Sequence, residues 1–458
     1  MVSYQPWMVE FMLFQVRKPG GMLAEALGTL ILRAAGIGLT FLMTFCLARV
    51  LGPYEYGLYS AAMSMSILLA TLAPLGSDRT LVRSLSVVRS HAEAGTITAL
   101  THCGAALAAG CFLAGICGIC VLSGLLSLSH RWVLIAAMAG ITLIPLVLTY
   151  LRQWVAIPLV GAGPAVFPEQ ILLPPTFFAV LSVAALCGVP LNAFSAAVIY
   201  AGVMLLVWYG SLHSAAIRET YAAAARYVPR VAAVRSHLRG GLPFLGFSIG
   251  CTMLQRSLPL VIVTTCGAAA TARFSVAVQY AALAGIPLSV INLCMIPRCA
   301  RSYRDGEQRA VSHLIRKAAT LTFALACGIA LLAWLALPLF IRLLGADYGE
   351  IDQILPVLLC AAVIESAAGS SVPVMQTMHL EHVLGRAMFA FVPVQTGLIY
   401  VGSAVSGPLG GALGYLVSRT LWTALILVII YRWRSLLSLP YVWPRQLQWF
   451  RHSVLQDT

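Results

Sequence analysis

The chain has 458 residues, 60% of them hydrophobic and only 10% charged, where soluble domains carry ~25% charged residues. Its net charge of +14 sits beside apolar segments and not on one soluble module. That pattern argues against nucleic acid as a partner and for anionic membrane lipid headgroups.

Residues 1–26 place apolar Trp7, Met8, Phe11, Met12 and Phe14 ahead of Arg17 and Lys18. This reverses the order of a cleavable signal peptide and reads as a cytoplasmic interfacial helix. Twelve apolar segments follow, at about 27–50, 53–76, 97–126, 132–151, 170–188, 193–215, 242–264, 272–297, 314–337, 352–377, 387–406 and 408–431. Most have near the ~20 residues that a helix needs to cross a bilayer. The expected fold is all-α: a polytopic membrane protein of about twelve transmembrane helices in two pseudo-symmetric six-helix lobes. The lobes are expected at 27–215 and 242–431, joined by a basic cytoplasmic linker at 216–241 and followed by a basic tail at 432–458.

Basic residues cluster in alternate gaps: Arg79, Arg83 and Arg89; Arg218, Arg226, Arg230, Arg235 and Arg239; then Arg298, Arg301, Arg304, Arg309, Arg316 and Lys317. Loops retained in the cytoplasm hold Lys and Arg, so both termini are expected there. The 12 cysteines mostly fall inside apolar segments, where Cys acts as a small hydrophobe, and Cys117 and Cys120 read as packing residues.

A gap-free offset of 215 residues lays Gly52 on Gly267, Tyr59 on Phe274, Ser60 on Ser275, Ala62 on Ala277, Leu68 on Leu283 and Arg83 on Arg298. The offset also superimposes the first two spans on the seventh and eighth. Parallel repeats of this kind are a recurring transporter plan, with the passenger held between the halves.

Polar residues in lipid-spanning helices are costly and belong to a cavity or a partner. The first span carries Thr29, Arg33, Gly36, Thr40 and Thr44 on one helix face, and the seventh carries Ser248, Thr252, Gln255, Arg256 and Pro259. These two stripes are expected to wall one central cavity. Arg33 is close enough to the span's end to snorkel, so cavity lining and snorkelling both stand. Arg256 is too deep for that and is expected to line the cavity. Arg419 is expected to bind the passenger or to bond backbone carbonyls, and Arg273 to do so or to sit at the interface. Glu365 is the one acid well inside a span, either a coupling group or half of a buried ion pair. Excess buried positive charge calls for an anionic passenger, and a phosphate or pyrophosphate suits the arginine fork. No nucleophile–His–acid constellation, P-loop, dinucleotide fingerprint or metal-ligand pattern is present in the sequence, so no enzyme and no cofactor are expected.

The segment Leu47-Ala-Arg-Val-Leu-Gly-Pro-Tyr-Glu-Tyr-Gly-Leu-Tyr59 resembles the span 1 to span 2 signature of bacterial polysaccharide exporters. These are the O-antigen type oligosaccharide-lipid flippases of the multidrug/oligosaccharidyl-lipid/polysaccharide superfamily. Leu75-Gly-Ser-Asp-Arg-Thr-Leu-Val-Arg83, Ile286-Pro-Leu-Ser-Val-Ile-Asn292, Pro297-Arg-Cys-Ala-Arg301 and Leu344-Gly-Ala-Asp-Tyr348 are similar to later parts of that family. The resemblance implies alternating access around a cationic cavity in the bacterial cytoplasmic (inner) membrane. It also implies an undecaprenyl-pyrophosphate-linked glycan as passenger, H+ or Na+ coupling, and glycan polymerase or assembly proteins as partners. Gln255-Arg256 and Gly267-Ala-Ala-Ala-Thr271 depart from the family pattern, which leaves the coupling ion and the glycan open. Alternatives are a drug or metabolite antiporter, a peptidoglycan-precursor flippase, and a scaffold that transports nothing.

Overall fold

The computed structural model describes residues 22–88, 90–126, 130–304, 308–378 and 380–434. Among them there are helices and turns and no strand. In chain order the helices are α1 Met22–Leu72, α2 Ser77–Val87, α3 His91–Leu126, α4 His130–Val160, α5 Ala162–Leu186, α6 Ala193–Ser211, α7 Ala215–Arg226 and α8 Val231–Thr265. They continue with α9 Ala268–Ala281, α10 Ile286–Arg304, α11 Gln308–Leu344, α12 Ile351–Ala367, α13 Ser371–Thr377 and α14 Glu381–Arg434. The expected N-terminal interfacial helix and most of the basic tail lie outside the described residues.

Ten helical stretches among the described residues are long and apolar enough to cross a membrane. Two of them double back. In α1 the helix breaks at Gly52 (φ 74, ψ 170), and Pro53 begins the return arm. The side chains of Tyr56 and Thr44 are close enough to interact, although a straight helix would hold these residues ~18 Å apart. In α14 the break falls at Ser406 and Gly407, ahead of Pro408. Gly402 packs on the Gly410 carbonyl, and Gly414 on that of Leu398, so the two arms run back against each other. Counting each arm separately gives twelve crossings.

The repeat shows in backbone conformation. Gly267, the offset partner of Gly52, adopts φ 86 and ψ −178 at the turn into α9. Side chains with a Cβ are essentially barred from that region, so both turns need glycine. The linker expected at 216–241 is divided: α7 ends at Arg226, and Val231 already begins the long helix α8.

Packing differs sharply between the two ends of the bundle. At the end carrying the Gly52, Gly267, Gly345 and Gly407 turns, one apolar core unites both halves, from Leu47, Tyr59 and Phe177 to Phe274, Leu344 and Leu355. Phe41 and Phe45 of α1 meet Phe340 of α11 with ring centres 5.9 and 5.5 Å apart, and Tyr280 of α9 lies 4.3 Å from Phe340. The Tyr348 hydroxyl donates to Ala48 O at 2.8 Å. Toward the basic end the cores separate, one for the second half and three smaller ones for the first. Contact between halves persists there along one edge, where Gly76 abuts Gly241 and Arg79 stacks on Phe247 at 5.1 Å.

Candidate functional site

The site grows from α8. Gln255 and Arg256 lie well inside the apolar stretch Phe244–Thr265, yet both side chains are solvent-accessible. A guanidinium exposed to hydrocarbon at that depth would be prohibitively costly. Pro259 has no N–H, which leaves the Gln255 carbonyl without its helical donor and adds an acceptor beside Arg256. Tyr200 of α6 is the electrostatic neighbour of Arg256. No carboxylate among the described residues pairs with Arg256.

Arg419 of α14 is 7% exposed and tied down on several sides. Its Nη2 donates to Leu254 O at 3.1 Å, and its guanidinium carbon lies 4.8 Å from the centre of the Tyr415 ring. Nη1 approaches Glu365 Oε1 of α12 at 3.5 Å. Gln395 donates to the same Leu254 carbonyl at 2.8 Å, so two side chains of α14 converge on one backbone oxygen of α8. Gln395 is not among the residues anticipated from sequence, although a buried amide in the middle of an apolar segment is a visible signal.

The other candidates are placed as follows. Thr40 is half-buried on the first arm of α1. Arg33 lies in α1, and its side chain is outside the described residues. The two expected polar stripes are not uniformly open: Gly36 packs against Gln170 of α5, and Ser248 is 4% exposed. Arg273 stands at the glycine-turn end, bonding Asp347 O at 2.9 Å and Glu350 Oε2 at 2.6 Å. It is a clamp within the second half and is not brought to Arg256 or Arg419.

A further buried pair is not anticipated from sequence. Arg152 of α4 is 1% exposed and donates to Glu169 Oε1 at 2.7 Å and to Ala165 O. Glu169 lies in the widened turn Pro168–Leu172 within α5, and its Oε2 is buried without a donor among the described residues. Between the spans, Asp78 is 1% exposed at the start of α2. Burial raises its carboxyl above the ordinary range, opposed by Arg79 at 4.0 Å and by the Tyr150 hydroxyl, which donates at 3.0 Å. Among the described residues, no group of three or more His, Cys, Asp and Glu is arranged to hold a metal ion.

The fold is shared with solved transporters. An inward-facing multidrug resistance MATE family transporter of the MOP superfamily aligns over 90% of this chain and 98% of its own, at 14% identity and TM-score 0.69. An outward-facing one aligns over 95% and 96%, at 15% identity and TM-score 0.58. A MATE protein in its straight conformation aligns over 90% and 95%, at 15% identity and TM-score 0.57. Comparison with curated proteins finds no match. The architecture is therefore the two-lobed helical fold of those proteins. The profile of the family described as polysaccharide biosynthesis protein matches residues 23–302, and that described as MatE matches residues 248–377. The chain belongs to the polysaccharide biosynthesis protein family.

Proposed function

We propose that the protein is a flippase that moves an anionic polyprenyl-pyrophosphate-linked oligosaccharide across a bacterial cytoplasmic membrane for surface polysaccharide assembly. The observation that carries this reading is Arg256. Of the three deep arginines Arg152, Arg256 and Arg419, the other two have carboxylate partners at 2.7 and 3.5 Å, and Arg256 has none among the described residues. An uncompensated guanidinium facing an internal cavity is a receptor for an anion, and its planar fork suits a phosphate. The polyprenyl tail stays in lipid while the headgroup crosses in water. Lowering the desolvation barrier of the headgroup is all that the protein must supply, and no bond is broken.

The clustering of basic residues supports a cytoplasmic position for the basic end and for both termini. The halves are then joined at the outer end and, among the described residues, share no core at the inner one, which fits a state that loads from the cytoplasmic leaflet. Alternating access requires the aromatic contact of Phe41, Phe45, Tyr280 and Phe340 to part as the inner end closes. An H+ or Na+ gradient resets the cycle, and anionic lipids and glycan-assembly proteins are the partners at the basic end.

The MatE match favours a second reading, the drug antiporter. A cationic drug would meet Arg256 as a repulsive charge, and an acidic cavity would suit it better. The test is complementation of a deletion strain. Arg256→Ala should abolish surface glycan at normal protein level, and Arg256→Lys should restore part of it. Restored drug resistance with unchanged glycan export would favour the antiporter.

A further inference from the structure

We infer that Glu365 holds the sugar part of the passenger, accepting hydrogen bonds from ring hydroxyls, and that Arg419 positions it. The inference rests on the flippase reading above and assigns a second subsite within the same cavity.

The pairing of Glu365 with Arg419 is too loose for a counter-ion. A guanidinium and a carboxylate that serve each other close to about 2.7–2.9 Å, often through two parallel bonds. Here a single contact of 3.5 Å links Nη1 to Oε1. Arg419 is meanwhile fixed by the Leu254 carbonyl and the Tyr415 ring, with only 8% of its side chain exposed. Its place in the helix packing does not depend on Glu365.

The carboxylate is open where the arginine is closed. Its side chain is 43% exposed, although Glu365 lies well inside the apolar stretch Ile351–Met375. Exposure to lipid at that depth would be costly, so the exposed face meets the water-filled cavity. An ionised carboxylate has about four acceptor sites on its two oxygens, and one long contact leaves most of them free. Adjacent hydroxyls of a sugar ring present paired O–H donors, the complement of such a group. Bonds from neutral donors to a charged acceptor are among the stronger ones in a protein.

The chemistry disfavours a cation as the occupant. A guanidinium 3.5 Å away already places positive charge against the carboxylate and repels a second cation. The same residue orients the acceptor. On α8, Leu254, whose carbonyl anchors Arg419, adjoins Gln255 and Arg256. One short helical segment thus connects an arginine suited to phosphate with a carboxylate suited to hydroxyls, which is the polarity of a glycosyl pyrophosphate.

The test compares two probes on purified protein: lipid-linked glycan extracted from cells lacking the transporter, and glycan-free undecaprenyl pyrophosphate. Glu365→Gln should weaken binding of the first at least tenfold and leave the second unchanged. Arg256→Ala should weaken both. If Glu365→Gln does not fold, as thermal melting would report, Glu365→Asp is measured in its place and should weaken the glycan probe alone. Equal loss for both probes, loss for neither, or loss of gradient response with both affinities intact would overturn the inference. Wild-type protein that binds neither probe would instead overturn the flippase reading, and the sugar subsite with it.

Discussion

Ser60 donates a hydrogen bond to Ser275 at 2.7 Å, although 215 residues separate them. That separation is the repeat offset itself, so the two serines are equivalent positions of the two halves meeting where the halves join. A residue touches its own symmetry mate only on or near the axis that relates the repeats. The α1 return arm and α9 therefore cross at the pseudo-twofold axis, inside the shared core that closes the glycine-turn end.

This contact predicts a lock. Cysteines placed at both positions, on a background without the native ones, should form a disulfide with mild oxidant, since the side chains are already in reach. If the junction parts during transport, the cross-linked protein should stop exporting glycan and recover on reduction. Unimpaired export by fully cross-linked protein would show that this junction stays shut throughout the cycle.

The Arg152–Glu169 pair should carry stability. Removing one partner of a buried pair costs ~3–5 kcal/mol, because the other charge is left uncompensated. Glu169→Ala should lower the melting temperature of purified protein well below that of Glu365→Gln. Glu365 is expected to contribute little, since its partner is held by other bonds. The reverse order of melting temperatures would show the roles to be exchanged.

Asp78 gives a pH signature. Its folded-state carboxyl is raised by burial above the ordinary ~3.9. The folded chain therefore holds the proton more tightly than the unfolded one. This contribution to stability is full below the ordinary value and is lost as pH rises through the folded one. Asp78→Asn keeps an acceptor for the Tyr150 hydroxyl and removes the titration. Between pH 4 and neutrality its melting temperature should fall less than that of wild type. The difference in stability grows by at most about 1.4 kcal/mol for each pH unit in which only the folded wild type holds the proton. Parallel curves would place the titration elsewhere.

Much of this arrangement was legible in the sequence. Gly52 with Gly267, and Ser60 with Ser275, show the repeat because turn conformation and axial contact constrain both copies alike. The depth of Arg256 is readable from span length, and Arg419 does bond a backbone carbonyl. Pairings across helices are not readable. Arg152 and Glu169 sit near one end of neighbouring spans, where an arginine and an acid read as boundary residues, and only the extension of α4 to Val160 buries them. Gly36 reads as part of a polar stripe because spacing fixes its face but not the Gln170 side chain packed on it. Arg273 groups with the cavity on charge alone, while its partner Glu350 lies in a turn whose course periodicity does not determine.

The most direct measurement is headgroup translocation by purified protein in liposomes loaded with fluorescent lipid-linked glycan on one leaflet. Wild type should expose the headgroup on the other leaflet, and Arg256→Ala should slow it by about tenfold or more, the worth of one charge-assisted bond. Arg256→Lys should fall between the two. Translocation by Arg256→Ala at the wild-type rate would contradict the cationic cavity as the means of crossing.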